Sequence, residues 1–348
     1  MRCLSICLVL WHHSPAHSAI ESPIMILQRG FVGVDFFFVI SGFLITTLLL
    51  REESQTGRFS LLAFYWRRVL RILPLYFLTV SLAAFWWIVV LGETHWLELL
   101  PYYYFFLANF LDADIPLLSP TWSLSVEEQY YLVWPLLLLL LPSITWLRVG
   151  VLMAVTSFMV LVAMDILTNV RLAPSTGVAS FYLPVSSYSA ILIGSLLAVL
   201  LNGPKGFAVF WSLLRHPASP VVWGLVFLAC LQWLPMTLTG WPNLILHVVM
   251  AMTLCSVVIR EDHALAGVLR WPPIVRIGVI SYGIYLWHLF ARHLGVEFGR
   301  TLLDLSRPWS EWAAMPVYLL ASLILAELSF RYFESHFLRL KNKSRKTR

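Results

Sequence analysis

Two groups of residues near the start of the chain have the types and spacing that chemistry inside a membrane requires. An apolar run over residues 33–46 carries a single carboxylate, Asp35, and a carboxylate inside a bilayer is costly and usually functional. Three arginines, Arg67, Arg68 and Arg71, follow at the edge of the next apolar run. Forked guanidinium groups suit phosphate groups, which accept paired hydrogen bonds. The two features together predict a membrane enzyme with an anionic cytoplasmic ligand.

A histidine and an arginine in the first apolar run form a third candidate group. Arg2 and His13 are eleven residues apart, a spacing that falls within about 20° of three full helical turns and about 16 Å along the axis. Both side chains therefore share one helix face. Histidine accepts a proton readily near neutral pH, so His13 is a candidate general base. The alternative is that His12 and His13 only end a helix at the membrane interface.

The remaining polar residues allow structural as well as functional interpretations. Asp35 is suited to orienting a histidine or to a packing ion pair with an arginine. The arginine group either binds phosphate groups or reflects only the preference of basic residues for the cytoplasmic side. Arg67 and Arg71 share a helix face, with Arg68 about a quarter-turn away. Glu127 falls in the early turns of a helix, where the dipole favours it, and also in a segment plausible as a site. His288 is interpreted as a packing residue.

The composition restricts the class of protein. Of the 348 residues, 59% are hydrophobic and only 12% are charged, and the mean hydropathy is +0.79. Soluble domains carry about 25% charged residues, so we expect a polytopic membrane protein without a separate soluble domain. The four cysteines lie in apolar runs and form neither a disulfide nor a zinc pattern. We expect no metal and no nucleic-acid partner.

Apolar segments and basic loops predict the topology. The sequence contains ten apolar segments, and we expect an all-α bundle of about ten transmembrane helices. After the short first segment, they lie at roughly 31–50, 72–92, 122–141, 146–168, 180–202, 219–236, 242–259, 274–296 and 314–333. The first segment is about half the roughly 20 residues that span hydrocarbon, so we interpret it as a truncated first helix. Lys and Arg residues concentrate in alternate loops, which predicts that both termini face the cytoplasm. We expect one membrane domain over residues 1–338 and a basic cytoplasmic tail over residues 339–348.

Six motifs, in order, resemble those of the acyltransferase 3 family of integral-membrane acyltransferases. They are Arg2-x10-His13, GVDFFFVISGFLIT, FYWRRVLRILPLY, PTWSLSVEEQYYLVWP, SYGIYLWH and ELSFRYFES. The resemblance implies that Arg2 and His13 are essential, with His13 catalytic, and that Arg67, Arg68 and Arg71 lie near a CoA donor. Asp35 and Glu127 match positions in the family motifs. The chain departs from the family before the first arginine and at Glu334-Ser-His-Phe, where proline generally precedes phenylalanine.

The expected activity is transfer of an acyl group, with acetyl the leading choice, from acyl-CoA to a hydroxyl of a carbohydrate or glycoconjugate. The resemblance implies acceptors among bacterial cell-surface or exported glycans, and a location in the bacterial inner membrane. We also expect no appended hydrolase-like domain. A proton-coupled glycan or lipid transporter and a non-catalytic membrane scaffold remain as alternatives. The acceptor, the acyl chain length and the oligomeric state are not encoded in the motifs.

Overall fold

The computed structural model describes residues 1–17, 24–164, 166, 170–171, 177–183, 188–235, 237–303 and 310–343. Long apolar runs favour helices here because a helix satisfies every backbone hydrogen bond within itself. The α-helices of the described residues are α1 (Arg2–His12), α2 (Met25–Gln28), α3 (Val32–Thr56), α4 (Leu61–Ala84), α5 (Leu100–Tyr104), α6 (Thr121–Leu140), α7 (Thr145–Ala163), α8 (Tyr188–Asn202), α9 (Pro204–Leu214), α10 (Ser219–Trp233), α11 (Trp241–Val258), α12 (Ala266–Leu269), α13 (Pro272–Leu303), α14 (Ser310–Ser329) and α15 (Ser335–Lys343).

Short elements of other types complete the described fold. The backbones of strands β1 (Val170–Arg171) and β2 (Tyr182–Leu183) pair antiparallel, with Val170 opposite Leu183. The π-helical and 3₁₀ segments are Phe85–Val90 and Phe330–Glu334 (π) and Pro15–His17, Thr94–Leu99 and Ala108–Phe110 (3₁₀). Helices therefore dominate, as the sequence predicts.

Fewer helices than the expected ten are individually long and apolar enough to cross a membrane. Among the described residues six meet that standard, and a seventh does so if α8 and α9 form one span. The six are Val32–Thr56, Leu61–Val90, Thr145–Ala163, Trp241–Val258, Pro272–Glu297 and Glu311–Leu340. Helices α1 and α10 are apolar but shorter. The chain is thus an integral membrane protein, while the expected count of ten exceeds what length and composition support.

One helix pair is broken in a way that the sequence analysis did not anticipate. Helices α8 and α9 meet at Gly203 and are bent by 104° relative to each other. The segments predicted at 146–168 and 180–202 extend partly outside the described residues; within them, α7 ends at Ala163 and α8 begins at Tyr188. The same holds for the basic tail, of which α15 includes the part up to Lys343.

Helix α4 begins about a turn and a half before the arginine group. The sequence predicted an apolar segment from residue 72, but the helix starts at Leu61, where the Ser60 hydroxyl accepts a hydrogen bond from the Ala63 backbone N–H at 3.3 Å. The arginines are therefore helical residues with a fixed angular order around α4, and they do not lie on a loop at its edge. Pro74 lies inside the same helix.

Small residues bring α3 close to two neighbours. A Cβ on Gly42 would collide with the backbone carbonyl of Ile191 in α8, and a Cβ on Gly194 would collide with that of Val39. In the first turn of α3, a Cβ on Gly33 would lie 2.5 Å from the Ser5 carbonyl oxygen of α1. Close backbone approach of this kind is how membrane helices pack without a hydrophobic driving force. It fixes α1, the helix of Arg2, against α3.

Helices α13 and α14 hold the other side of α1. The Tyr318 hydroxyl of α14 donates a 3.0 Å hydrogen bond to the Leu10 carbonyl, and α13 packs along both α1 and α14. On α13, the hydroxyl of Tyr282 donates to the Ile72 carbonyl of α4 at 2.7 Å. Helix α13 therefore links α1 to α4, the two helices that carry the candidate arginines.

Candidate active site

Arginines from two helices line one internal cavity. Arg2 from α1 and Arg68 and Arg71 from α4 border a cavity of about 70 Å³. The other lining residues are Val34, Phe37, Phe38, Ser41, Ile72, Ser123, Leu124, Glu127, Tyr131, Ser281, Tyr282 and Tyr285. A water-sized group needs about 10–15 Å³ of such space. The cavity therefore admits a group on the scale of a phosphate or the end of a chain.

The arginines of α4 that face the cavity are not the two that the sequence analysis placed on one helix face. Arg68 and Arg71, three residues apart, both reach the cavity, because positions i and i+3 lie on one helix face. Arg67 lies outside the cavity and forms a 3.1 Å ion pair with Glu52 of α3, with side chains 40% and 29% exposed. The sequence placed Arg67 and Arg71 on one face; spacing allows both pairings, and the position of the neighbouring helices decides between them.

The three cavity arginines are not engaged in salt bridges within the described part of the chain. Among the described residues none of them forms an ion pair with a carboxylate, and Glu127 is the single acidic residue in the lining. The Arg68 guanidinium lies over the Tyr131 ring, 5.0 Å from its centroid, which supports the cation through the ring quadrupole. The carboxylates of Glu128 and Glu334 also act electrostatically on Arg68 and Arg71. Guanidinium groups that are not held in salt bridges keep donors available for an anion.

Glu127 is held by a hydrogen bond within the cavity wall. The Ser41 hydroxyl donates to Glu127 Oε1 at 2.8 Å, and Ser41 is buried. This contact joins α3 to α6. The sequence had offered capping or dipole compensation as the structural role of Glu127; in the structure its side chain instead faces the arginine cavity.

His13 lies close to the cavity without lining it. Its Nδ1 is 3.0 Å from the Val9 carbonyl oxygen, and a carbonyl only accepts, so we assign the proton to Nδ1 and the free lone pair to Nε2. The His13 ring centroid lies 4.8 Å from that of His288, whose ring is 5.7 Å from Tyr285 of the cavity wall. Two rings therefore separate His13 from the cavity.

Asp35 lies beside a different histidine from the one that the sequence analysis considered. Its Oδ2 is 3.7 Å from Nε2 of His247 in α11, and the other ring nitrogen of His247, Nδ1, is 3.0 Å from the Ser189 hydroxyl of α8. His247 is fully buried. The polar group of Asp35, His247 and Ser189 joins α3, α8 and α11, and no described contact connects Asp35 to His13.

Sequence reasoning did not name the tyrosines as candidates and interpreted His288 as a packing residue. Tyr131 lies one turn after Glu127, and Ser281, Tyr285 and His288 follow one another at spacings of four and three residues. These spacings place each set on one helix face, which was the available signal. Which face points to the cavity depends on helix packing. No group of three or more His, Cys, Asp or Glu in the described part of the chain is arranged to hold a metal ion.

Comparison with known proteins identifies the family. The family model for an acyltransferase domain, that of acyltransferase 3, matches residues 1–329. The chain belongs to this acyltransferase family. Two of the motifs that carry the family resemblance lie at α1 and α4. These are the helices whose arginines meet in the cavity.

Several curated proteins are similar to the chain. The peptidoglycan O-acetyltransferase OatA of Listeria monocytogenes is 26% identical over 341 residues, covering 88% of this chain and 51% of that protein. The putative peptidoglycan O-acetyltransferase YrhL of Bacillus subtilis is 28% identical over 334 residues, covering 88% and 50%. A putative O-acetyltransferase of Staphylococcus aureus is 26% identical over 341 residues, covering 89% and 53%.

The chain therefore spans about half the length of the curated relatives it matches. No solved structure matches the chain with significant similarity.

Proposed function

We propose that this protein transfers an acetyl group from acetyl-CoA to a hydroxyl of a cell-wall glycan. The observation that carries the proposal is the cavity in which Arg2, Arg68 and Arg71 meet without a salt bridge to any carboxylate of the described residues. Arg2 lies at the start of α1, and His13 is the C-cap residue directly after the end of that helix. The relatives named as peptidoglycan O-acetyltransferases support a glycan acceptor.

The arginine cavity is the proposed site of the donor phosphates. CoA carries a diphosphate and a 3′-phosphate, and forked guanidinium groups bind such oxygens through charge-assisted hydrogen bonds. The cavity is of phosphate scale, so we propose that one phosphate group enters it while the nucleoside remains outside. The long pantetheine arm then runs along α1 toward His13. The axial distance of about 16 Å from Arg2 to His13 is the length over which that arm extends.

His13 is the proposed general base. Its Nε2 lone pair is free because Nδ1 is engaged with the Val9 carbonyl, so it accepts the proton of the acceptor hydroxyl as that oxygen attacks the thioester carbonyl. General-base help of this kind contributes about 10² to 10⁴ in rate. Holding donor and acceptor together in a water-poor site supplies a further contribution. Arg2 acts on the donor, from the opposite end of the same helix.

Glu127 and Asp35 have separate proposed tasks. Glu127 lies among the arginines and offsets part of their positive charge when no donor is bound. Asp35 polarises His247 and thereby holds α3, which carries Ser41, against α11. Neither carboxylate is proposed to contact the thioester.

The proposed topology has ten spans in the bacterial cytoplasmic membrane. Six helices span individually and α8 with α9 forms a seventh; α1, α6 and α10 would complete ten within the bundle, where protein neighbours compensate for short or polar stretches. Both termini then face the cytoplasm, in agreement with the basic loops. The membrane domain is proposed to include residues 1–338, followed by the basic tail.

One observation favours the alternative of a transporter with broken helices, namely the bend between α8 and α9. Transporters of that kind place broken helices in matching halves of an internal repeat. The described residues contain one such bent pair, and we therefore keep acyl transfer as the proposal.

The direct test is acetyl transfer in isolated membranes. Membranes containing the full chain are incubated with acetyl-CoA labelled in the acetyl group and a chitooligosaccharide as the hydroxyl acceptor. We expect label on the sugar with wild-type protein and with His293→Ala, because His293 is exposed on α13. We expect no label above background with His13→Ala. Labelling that survives His13→Ala at the wild-type rate would refute the assignment of the base.

A further inference from the structure

The proposed donor cavity is elongated and has two ends. On α6 it is lined by Ser123, Glu127 and Tyr131, which follow one another at spacings of four residues and span about 12 Å along one helix face. The Arg68 guanidinium lies over the Tyr131 ring, so the arginines mark one end of the cavity. Ser123, in the first turn of α6, marks the other end.

Tyr285 of α13 closes the Ser123 end of the cavity. Its side chain lines the cavity and is 6% exposed, and its hydroxyl donates a 3.0 Å hydrogen bond to the Pro120 carbonyl. The Ser123 Oγ lies 2.5 Å from the same hydroxyl and 2.9 Å from the same carbonyl oxygen. The Phe37 ring of α3 packs against the Tyr285 ring, with centroids 6.2 Å apart. The tyrosine is therefore held at its tip by oxygens at the start of α6 and along its ring by α3.

The proposed base lies beyond Tyr285. The carbonyl oxygen of Tyr285 is 2.6 Å from Nδ1 of His288, and the His288 ring centroid lies 5.7 Å from that of Tyr285 and 4.8 Å from that of His13. His13 does not line the cavity. The order from the arginines toward the base is therefore cavity, Tyr285, His288 and His13, and Tyr285 closes the way along these side chains.

We propose that Tyr285 is a gate between the donor cavity and His13, held shut by its hydrogen bonds to the start of α6. The inference rests on the proposed function, in which the arm of the donor runs from the arginines to His13. The gate opens when the Tyr285 hydroxyl leaves the oxygens of Ser123 and Pro120, and the ring then makes way for the thioester end of the arm. In the closed state the ring keeps water away from the cavity, which protects a thioester from hydrolysis.

The hydrogen bonds of the gate suit a residue that moves. Bonds between uncharged groups contribute little net free energy, and two of them correspond to a change of about 5- to 150-fold in the fraction of open molecules. When Tyr285 leaves, the Ser123 hydroxyl keeps the Pro120 carbonyl as its acceptor. Opening therefore leaves the Ser123 hydroxyl hydrogen-bonded and avoids the cost of an unpaired buried group.

The test measures access to the cavity from the outer face of the membrane, where the proposed topology places the His13 end of α1. Ser281 lines the cavity one turn before Tyr285 on α13, so a cysteine at this position reports on the arginine side of the gate. Ser281→Cys is introduced into the full chain with its four native cysteines replaced by serine. Right-side-out and inverted membrane vesicles are treated with the membrane-impermeant reagent 2-sulfonatoethyl methanethiosulfonate. The thiol that remains is measured with a fluorescent maleimide after denaturation.

We expect Tyr285→Phe to raise the rate of labelling from the outer face about 5- to 150-fold, because the variant keeps the ring and loses the hydroxyl that fixes it. The rate from the cytoplasmic face should stay within twofold. Ser123→Ala leaves Tyr285 the Pro120 carbonyl as partner, so the rise from the outer face should be smaller, about 2- to 12-fold.

Tyr76→Phe is the matched control. Tyr76 is a fully buried tyrosine of α4 outside the cavity lining, and its hydroxyl also donates to a backbone carbonyl, that of Tyr103, at 2.9 Å. The variant loses a buried tyrosine hydroxyl without touching the gate. Its labelling rates should match those of the Ser281→Cys parent on both faces.

The gate also has a consequence for the reaction. With acetyl-CoA and no sugar acceptor, membranes containing Tyr285→Phe in the otherwise native chain should release acetate and CoA faster than wild type, because an open gate admits water to the thioester. The factor should be similar to the rise in labelling from the outer face.

Three results would overturn the inference. They are an unchanged labelling rate from the outer face in Tyr285→Phe, an equal rise from both faces, which indicates loosened packing, and wild-type hydrolysis in Tyr285→Phe membranes that transfer acetyl groups. Failure of the proposed function is a different result, the absence of acetyl transfer by wild type, and the labelling rates are measured without acetyl-CoA.

Discussion

Arg67 and Arg71 provide a matched pair of substitutions for the donor site. Both are arginines of α4, but Arg71 lines the cavity while Arg67 pairs with Glu52 at a partly exposed position. Glutamine replaces either guanidinium with a neutral group of similar polarity. We expect Arg71→Gln to weaken acetyl-CoA binding strongly and Arg67→Gln to leave it nearly unchanged.

The structure sets the magnitudes of the two effects. A hydrogen bond to a charged group is worth about 1.5–3 kcal/mol, and a tenfold change corresponds to about 1.4 kcal/mol. Loss of one arginine contact to a donor phosphate therefore raises Kd about 10- to 150-fold. An exposed ion pair such as that of Arg67 with Glu52 contributes about 0.2–1 kcal/mol, and it contributes to folding and not to binding. Arg67→Gln is thus expected to change Kd less than twofold.

The assay measures initial rates against acetyl-CoA concentration and, independently, the Kd of CoA by calorimetry in detergent. Dephospho-CoA, which lacks the 3′-phosphate, identifies the phosphate involved. If Arg71 binds the 3′-phosphate, wild type and Arg71→Gln bind dephospho-CoA equally well. Equal weakening by Arg67→Gln and Arg71→Gln, or no weakening by Arg71→Gln, would refute the reasoning and leave the arginines with a topological role only.

Three further predictions concern the cavity and the helix packing around it. Glu127→Gln removes the one negative charge from the arginine lining, so the Kd of CoA should fall several-fold in the same calorimetry; an increase would contradict the cavity as the anion site. Gly42→Ala should lower the thermal midpoint by overpacking α3 against α8, a cost of about 1–3 kcal/mol, while Gly150→Ala, with nothing within 4 Å of its added methyl, should not. Arg148→Met should cost about 1.5–3 kcal/mol of unfolding free energy because it removes both hydrogen bonds of Arg148 to Glu53, at 2.7 and 2.9 Å, and leaves that carboxylate with the Ser143 hydroxyl; in a urea titration the added change Glu53→Gln should recover part of the loss.

The local sequence was sufficient to predict the helical class. Apolar runs with few charges dictate membrane helices, because backbone groups in hydrocarbon must be satisfied within each segment. The spacing of Arg2 and His13 predicted one helix face, and α1 spans the residues between them as a single helix. The motifs carried the family, which the match over residues 1–329 confirmed.

The number of membrane spans and the ends of the helices could not be predicted accurately from local sequence patterns. The expected ten spans exceed the six helices that qualify individually among the described residues, because short or polar helices such as α1 and α6 depend on neighbours for their environment. The start of α4 at Leu61 depends on the Ser60 cap, a signal that hydropathy does not report. The bend at Gly203 likewise depends on how α8 and α9 pack.

The sequence by itself determined which residues carry charge, which carry a basic nitrogen and which share a face of their own helix. The tertiary structure alone decided that Arg68 and not Arg67 joins Arg71 in the cavity, that Asp35 faces His247 and that His288 meets His13. The physical reason is that helical periodicity fixes angles within one helix, while the rotation of each helix against its neighbours is set by packing between residues distant in sequence. The close glycine contacts of α3 with α1 and α8 set that rotation here.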